Sequence, residues 1–166
     1  MRAEVDRTLQ ELVPGMTACL EAWAGTVDAF VSHSWHDDGT AKYRELGVWD
    51  AGFRAAHGGE VPTIWLDKAC IDQKNIPASL ACLPVFLAGC QQLLVILGPS
   101  YPTRLWCVME LFVFLRMGGQ RSDMVVKLLD EVKQILEDLR SPSAPHASDE
   151  HFTMLAEHVL MDLFVK

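Results

Sequence analysis

A run of five apolar residues, LLVIL at positions 93–97, limits the possible folds of this chain more than any other segment does. Two shorter β-prone runs precede it, VDAFVS at 27–32 and PTIWL at 62–66, and residues with helical spacing separate the three. Strands that are apolar on both faces are typical of parallel sheets covered by helices on both sides. The order of strands and helices therefore predicts an α/β domain with a doubly wound parallel sheet and right-handed crossovers.

Glycine and proline mark where the helices of this domain begin and end. The helix whose apolar residues lie between 46 and 53 is predicted to end at Gly58-Gly59. The next helix is predicted to begin near Pro77, with a kink at Pro84. The helix after the third strand is predicted to stop at Gly118-Gly119. Each of these helices can serve as a crossover between parallel strands.

The two ends of the chain lie outside this alternating pattern. Residues 1–25 carry two helical apolar stripes and are predicted to form an N-terminal helical extension of a domain that spans 26–166. Residues 123–140 are ambiguous, because 124–126 fit a short fourth strand whereas the rest has helical spacing. A last helix is predicted to begin near Ser148.

Composition excludes some classes of partner. The chain of 166 residues has a formal net charge of −8, whereas binding to nucleic acid or to anionic membranes needs a basic face. We expect no membrane span within this chain, since no apolar stretch is long enough. The cysteines form no C-x-x-C pair, so we expect reduced, buried thiols in a cytoplasmic protein and no metal site.

In a flavodoxin-like strand order, ligands bind in the crevice outside the carboxyl ends of the first and third strands. In this chain the crevice would lie between the loop at 32–38, SHSWHDD, and the turn at 98–101, GPSY. The turn leads into the helix that carries Glu110, the one acidic residue between Asp72 and Asp123. Topology therefore nominates these segments as the functional site.

Glu110 lies in a helix that is otherwise almost entirely apolar. A carboxylate in such surroundings costs several kcal/mol unless it is paired or reaches a cleft. Helical spacing places Trp106 and Cys107 on the same face, so the three side chains would face the predicted crevice together. The residues alone leave open the alternative that Glu110 only pairs with Arg104, Arg116 or a backbone N–H.

Three segments, in this order, resemble the TIR (Toll/interleukin-1 receptor) domain superfamily. Residues 28–34, DAFVSHS, resemble the first TIR strand and its loop, and 65–72, WLDKACID, resemble the start of the BB loop after the second strand. The turn at 98–101, followed by RLWCVMEL at 104–111, is similar to the third-strand turn and the W-C-x-x-E-L helix of plant-type TIR domains. The resemblance covers a little over half of the chain and implies a TIR-like form of the α/β fold.

The resemblance also implies an activity and a catalytic residue. TIR domains that cleave NAD+ use the glutamate of the matching helix, which is Glu110 in this chain. The nicotinamide of NAD+ leaves as a neutral base, so one carboxylate can stabilise the oxocarbenium-like state and no general acid is needed. NAD+ is then the substrate, no cofactor is expected, and the product is linear or cyclic ADP-ribose. Activation through contacts between TIR domains of identical chains, in immune or cell-death signalling, is implied as well.

Residues near the predicted crevice would surround the substrate. The expected substrate-binding residues are Ser32, His33, Ser34, Trp35, Arg104 and Trp106. The hydroxyl and imidazole groups would donate to the ribose or the diphosphate, the indoles would stack on nicotinamide or adenine, and the guanidinium would contact phosphate. Asp37 and Asp38 would repel a diphosphate unless they point away from it or bind a cation.

Three other functions fit parts of the sequence. The first is a TIR-like scaffold without catalysis, which would bind other proteins through the BB-like loop. Its interaction residues would be Asp67, Lys68, Asp72 and Lys74. The second is a Zn or Mn site in the loop HSWHDD at 33–38. The third is a thiol enzyme that uses Cys107, near a helix N-terminus, with His33 across the crevice.

Overall fold

The computed structural model describes residues 27–70 and 82–140. Within these residues the chain forms a sheet of four strands in the order β2-β1-β3-β4, and every pair of neighbouring strands is parallel. The strands are β1 (Val27–His33), β2 (Ile64–Trp65), β3 (Cys90–Leu97) and β4 (Met124–Leu128). This topology confirms the predicted α/β class with a flavodoxin-like strand order, and the ambiguous segment at 123–140 contains the short strand β4 followed by a helix from Asp130 to Arg140. The predicted N-terminal extension and the predicted helix from Ser148 lie outside the described residues.

Helices cover both faces of the sheet. In chain order, the helices of the described part are α1 (Gly39–Ala56), α2 (Asp67–Cys70), α3 (Leu83–Ala88), α4 (Leu105–Arg116) and α5 (Asp130–Arg140). Short 3₁₀ turns, Tyr101–Thr103 and Arg121–Asp123, precede α4 and β4. None of the helices in these two ranges has both the length and the apolar character needed to cross a membrane.

Two helices show how glycine and proline set the boundaries. After α1, Gly58 and Gly59 have φ angles of +65° and +94°, a left-handed conformation that favours glycine, so the predicted stop is confirmed. Pro84 lies in the first turn of α3, which begins at Leu83, and the predicted helix start near Pro77 lies outside the described residues. The first N–H groups of a helix have no acceptor within it, so proline fits there without loss of a hydrogen bond.

The alternation of side chains along β1 divides the core into two parts. Phe30 points to the side that contains residues of α3, α4 and α5. Ala29 points to the other side, where Trp49 of α1 packs. Ser32, two residues after Phe30, shares the first side and is 0% exposed. The period of the strand thus places a buried hydroxyl opposite the helix that carries Glu110.

Two glutamates are buried in the described part of the chain, and their surroundings differ. Glu45 of α1 is paired with Lys133 of α5, whose Nζ lies 2.9 Å from Glu45 Oε1. Glu110 of α4 has no ion pair with Arg104 or Arg116, so the ion-pair alternative is wrong for these two arginines. No ion pair within 27–70 and 82–140 includes Glu110, and burial of a carboxyl without a counter-ion is costly, so the groups around Glu110 decide its charge.

Candidate active site

The candidate site lies at the carboxyl ends of β1 and β3, the place that the topology predicts. The loop after β1, 34–38, meets the turn after β3, 98–100, at this edge of the sheet. Ser34 Oγ lies 2.6 Å from Ser100 Oγ, and Asp37 Oδ1 accepts a hydrogen bond from the Ser100 N–H at 3.0 Å. Two separate hydrogen bonds therefore fasten the loop to the turn.

Glu110 projects from α4 toward the same edge and is 2% exposed. Ser32 Oγ donates a hydrogen bond to Glu110 Oε2 at 2.5 Å, and Tyr101 Oη lies 2.7 Å from Ser32 Oγ. Ser32 was predicted to bind the ligand, whereas its hydroxyl holds the catalytic candidate in this structure. Tyr101 was missed as a site residue, although its position in the turn after the third strand was the available signal.

Burial raises the pKa of Glu110 to about 8, from an ordinary value of 4.5. The hydrogen bond from Ser32 opposes this rise, and the negative charge of Asp67 adds to it. The indole N–H of Trp106 is buried and has no acceptor in hydrogen-bonding geometry among the described residues, yet it lies close enough to Glu110 to lower the pKa of the carboxyl. Glu110 is therefore mostly protonated at neutral pH in the free protein, and a nearby positive charge would favour its ionised form.

A second group of polar side chains surrounds Trp35, which is 48% exposed. Trp35 Nε1 donates to Asp67 Oδ2 at 2.8 Å, and the His33 ring meets the indole edge-on with centroids 4.4 Å apart. Lys42 Nζ lies 5.8 Å from the indole centroid. Asp67 was predicted as an interaction-loop residue, but it lies among the predicted substrate-binding residues. Its charge acts on the pKa of both His33 and Glu110, which connects this group to the carboxyl.

Lys42 is a second residue that the sequence analysis missed. Its Nζ donates to the backbone O of Ser34 at 2.6 Å, which places an ammonium group at the loop after β1. Asp38 caps α1 by accepting from the Ala41 N–H at 2.8 Å, so the first turn of this helix starts directly beside the loop. The sequence contains the cap, but it does not give the direction of the helix relative to the strand.

The remaining predicted site residues have different positions. Ser34 is 1% exposed, and its hydroxyl accepts from the His36 N–H at 3.2 Å besides contacting Ser100, so it joins backbone segments. Trp106 is half-buried, and Arg104 is exposed where it precedes α4. Asp72, Lys74 and the side chain of Lys68 lie outside the described residues. Their predicted roles stay predictions.

The geometry favours neither the metal alternative nor the thiol alternative. Asp37 and Asp38 both accept hydrogen bonds from backbone N–H groups. In the ranges 27–70 and 82–140, no group of three or more His, Cys, Asp or Glu side chains is placed to hold a metal ion. Cys107 Sγ donates to the backbone O of His33 at 3.4 Å, and burial raises the pKa of the thiol to about 12. The thiol is therefore protonated at neutral pH and is a poor nucleophile.

The contact between the loop and the turn requires a glycine at position 98. A Cβ on Gly98 would collide with the Asp37 carboxylate, whereas Gly47 in α1 has open space around it. We expect Gly98→Ala to lower the free energy of unfolding by about 1–3 kcal/mol. The control, Gly47→Ala, should raise it by about 0.5–1 kcal/mol, since alanine favours a helix interior. Urea denaturation measures both, and a Gly98→Ala variant as stable as wild type would mean that Asp37 does not lie over the turn.

Comparisons with known proteins add no assignment to this site. The chain matches no protein-family model, no curated protein and no solved structure.

Proposed function

We propose that this chain is a TIR-like NAD+ hydrolase that cleaves the bond between nicotinamide and ribose. The observation that carries the proposal is the buried carboxyl of Glu110 at the carboxyl ends of β1 and β3, held by Ser32 Oγ at 2.5 Å. The resemblance of residues 104–111 to the W-C-x-x-E-L helix supports the same residue by a separate route. The activity would serve immune or cell-death signalling, as the resemblance implies.

The reaction needs one carboxylate and no general acid. Cleavage of the C–N bond leaves both bonding electrons on the nicotinamide nitrogen, which becomes neutral, while positive charge develops on the ribose. Water then adds to C1′ and loses a proton, so the products are nicotinamide, ADP-ribose and one proton. The carboxylate of Glu110 would face the developing charge in a site with little water, where a fixed charge acts most strongly.

The substrate itself supplies the charge that favours the active form of Glu110. The nicotinamide ring of NAD+ is positive, and its approach stabilises the ionised carboxyl relative to the protonated one. Because Glu110 is 2% exposed, binding has to displace side chains that cover the carboxyl. Trp35 presents an exposed indole on which nicotinamide or adenine can stack, and Lys42 offers a positive charge to the diphosphate.

A second copy of the chain would complete the pocket, as the TIR resemblance implies. The helix that carries Glu110 has exposed apolar residues at helical spacing, which supports a contact between copies beside the site. They are Leu105, Val108, Met109, Phe112 and Leu115. We expect the rate of NAD+ loss to rise more than linearly with protein concentration, by about fourfold per doubling while an active dimer is sparsely populated. Initial rates over a wide range of protein concentration measure this, and strict proportionality would contradict it.

The test of the proposed activity is NAD+ consumption at high protein concentration, followed by proton NMR, for wild type and Glu110→Gln. Loss of NAD+ with release of free nicotinamide by wild type, and not by Glu110→Gln, supports the reaction and the residue together. Glu45→Gln is the matched control, because it removes the other buried glutamate of the described chain and should retain activity. Equal loss by wild type and Glu110→Gln would show that Glu110 is not catalytic.

A non-catalytic TIR scaffold is the second candidate, and two observations favour it. The exposed apolar residues of α4 suit a contact with another protein, and the 2% exposure of Glu110 suits a carboxyl with a structural role. A folded, self-associated wild type that consumes no NAD+ would select this function. Phe112→Glu, a change within the exposed stripe, should then abolish self-association in sedimentation experiments while the chain stays folded.

A further inference from the structure

Two hydroxyl groups connect the carboxyl of Glu110 to a backbone carbonyl. Ser32 Oγ lies 2.5 Å from Glu110 Oε2, and Tyr101 Oη lies 2.7 Å from Ser32 Oγ. Tyr101 Oη is also 3.5 Å from the backbone O of Cys107. Both hydroxyl residues are buried, so water does not readily replace any of these partners.

The number of protons on these connected groups restricts the directions that their hydrogen bonds can take. Each hydroxyl has one proton to donate, and an ionised carboxylate can only accept. When Glu110 is ionised, Ser32 donates to it and Tyr101 can donate to Ser32. When Glu110 is protonated, the carboxyl can donate to Ser32, Ser32 to Tyr101, and Tyr101 to the Cys107 carbonyl. Each hydroxyl proton of Ser32 and Tyr101 therefore has an acceptor in both states, with opposite directions of donation.

We propose that Tyr101 is a positioning residue for Glu110, because its hydroxyl can donate to Ser32 when the carboxyl is ionised and accept from Ser32 when the carboxyl is protonated, and so holds the carboxyl in place in both of its charge states. The role of Tyr101 in catalysis rests on the proposed NAD+ hydrolase function, whereas its link to Glu110 does not. Tyr101 acts through Ser32, and its hydroxyl has no contact with Glu110 of its own among the hydrogen bonds of the described chain.

The other groups around Glu110 do not perform this task. Asp67 repels the ionised carboxyl, Trp106 attracts it, and Cys107 is a buried, protonated thiol. Only a donor to Ser32 strengthens the charge-assisted hydrogen bond from Ser32 to the carboxylate, because a hydroxyl that accepts a hydrogen bond becomes a better donor. Removal of the Tyr101 hydroxyl should therefore raise the pKa of Glu110 above its wild-type value.

The test uses Tyr101→Phe, which keeps the ring and removes the hydroxyl. The Glu110 carboxyl is followed by ¹³C NMR in protein labelled at glutamate, and its signal is assigned by its absence in Glu110→Gln. We expect the titration midpoint to rise by about half to one pH unit, given the usual net value of a hydrogen bond. Ser32→Ala should raise it further. Tyr43→Phe is the control, because Tyr43 is 79% exposed on α1 and should leave the midpoint unchanged.

A second measurement on wild type keeps the proposal testable if Tyr101→Phe does not fold. The chain has two tyrosines, so a protein labelled at tyrosine Cζ gives two signals. The Tyr101 signal should shift with the same midpoint as the Glu110 carboxyl, and this shift should be lost in Glu110→Gln. The proposal would be overturned if the chemical shift of Tyr101 stays constant while Glu110 titrates, or if folded Tyr101→Phe leaves the Glu110 midpoint unchanged.

These titrations need no NAD+, so the two proposals can fail separately. A coupled titration in a protein that does not consume NAD+ would keep the role of Tyr101 in holding Glu110 and reject the hydrolase. If Tyr101→Phe leaves kcat, KM and the pH profile of NAD+ cleavage unchanged, the role of Tyr101 in catalysis is rejected and the hydrolase is kept. If both hold, Tyr101→Phe should lower kcat by about three- to tenfold at neutral pH with KM nearly unchanged, and should move the pH–rate profile to higher pH.

Discussion

Glu110→Gln is expected to lower NAD+ cleavage at least about a hundredfold and, at alkaline pH, to stabilise the fold. The activity is lost because an amide has no negative charge to face the positive ribose. The stability change follows from burial, which raises the pKa of Glu110 from 4.5 in ordinary surroundings to about 8 in the fold. The folded protein thus prefers the protonated form, whereas the unfolded chain ionises near pH 4.5.

The sign of the pH dependence follows directly. The contribution of Glu110 to stability is complete below the unfolded pKa and is lost as the pH rises toward the folded pKa. At about 1.4 kcal/mol for each pKa unit, wild type should lose roughly 3 kcal/mol between pH 5 and pH 8 relative to Glu110→Gln, which does not titrate. Glutamine keeps an oxygen that can accept from Ser32, so packing changes little.

Urea denaturation of both proteins at pH 5, 6.5 and 8 measures this difference. Glu45→Gln is the control, since it breaks the contact with Lys133. Its free energy of unfolding should not increase relative to that of wild type as the pH rises. If the free energies of unfolding of wild type and Glu110→Gln change in parallel between pH 5 and pH 8, the carboxyl ionises without cost and burial does not govern its charge. Loss of activity without the change in stability would still leave Glu110 catalytic.

The second large effect is expected in the pH–rate profile. For free enzyme and NAD+, kcat/KM should rise with pH to a midpoint near 8, because the carboxylate is the active form. The fraction ionised grows about fiftyfold between pH 6 and pH 8, and the rate should grow with it. Initial rates at fixed protein concentration and ionic strength, corrected for the spontaneous hydrolysis of NAD+, measure the midpoint.

Other groups of the site titrate elsewhere, which makes this midpoint diagnostic. Burial lowers the pKa of His33 below its ordinary value of 6.5, and burial raises the pKa of Cys107 to about 12. A rate controlled by His33 would have its midpoint below pH 6.5, and one controlled by the Cys107 thiolate would still rise beyond pH 9. A profile that is flat, or that falls between pH 6 and pH 8, would contradict the role of Glu110 as a carboxylate.

The strands were predictable because they are apolar on both faces. The run LLVIL at 93–97 was the clearest strand in the sequence, and a flavodoxin-like strand order then predicted the edge of the sheet at which the site lies. Residues 124–128 were harder, because a short apolar run beside a helical pattern fits both structures. The position of Pro84 in its helix was also hard to predict, because a proline marks either a kink or a first turn, and the sequence does not distinguish them.

The site was predictable in part. Glu110 stood out because charge is rare in an apolar helix, and Trp35 was nominated by its loop. The hydrogen bonds of these two residues were not predictable, since Ser32 reaches Glu110, and Asp67 reaches Trp35, from segments far along the chain. Hydrogen bonding of a buried polar group depends on which elements meet in three dimensions, and spacing along one element does not contain that information.

The buried carboxyl has an evolutionary consequence. A single-base change converts a glutamate codon into a glutamine codon, and at this position the change would make the protein more stable at neutral and alkaline pH. Selection for stability alone would therefore remove Glu110 readily. Natural variants that keep the glutamate would mark lineages in which its charge is used, and those that carry glutamine would mark lineages in which that use has ended.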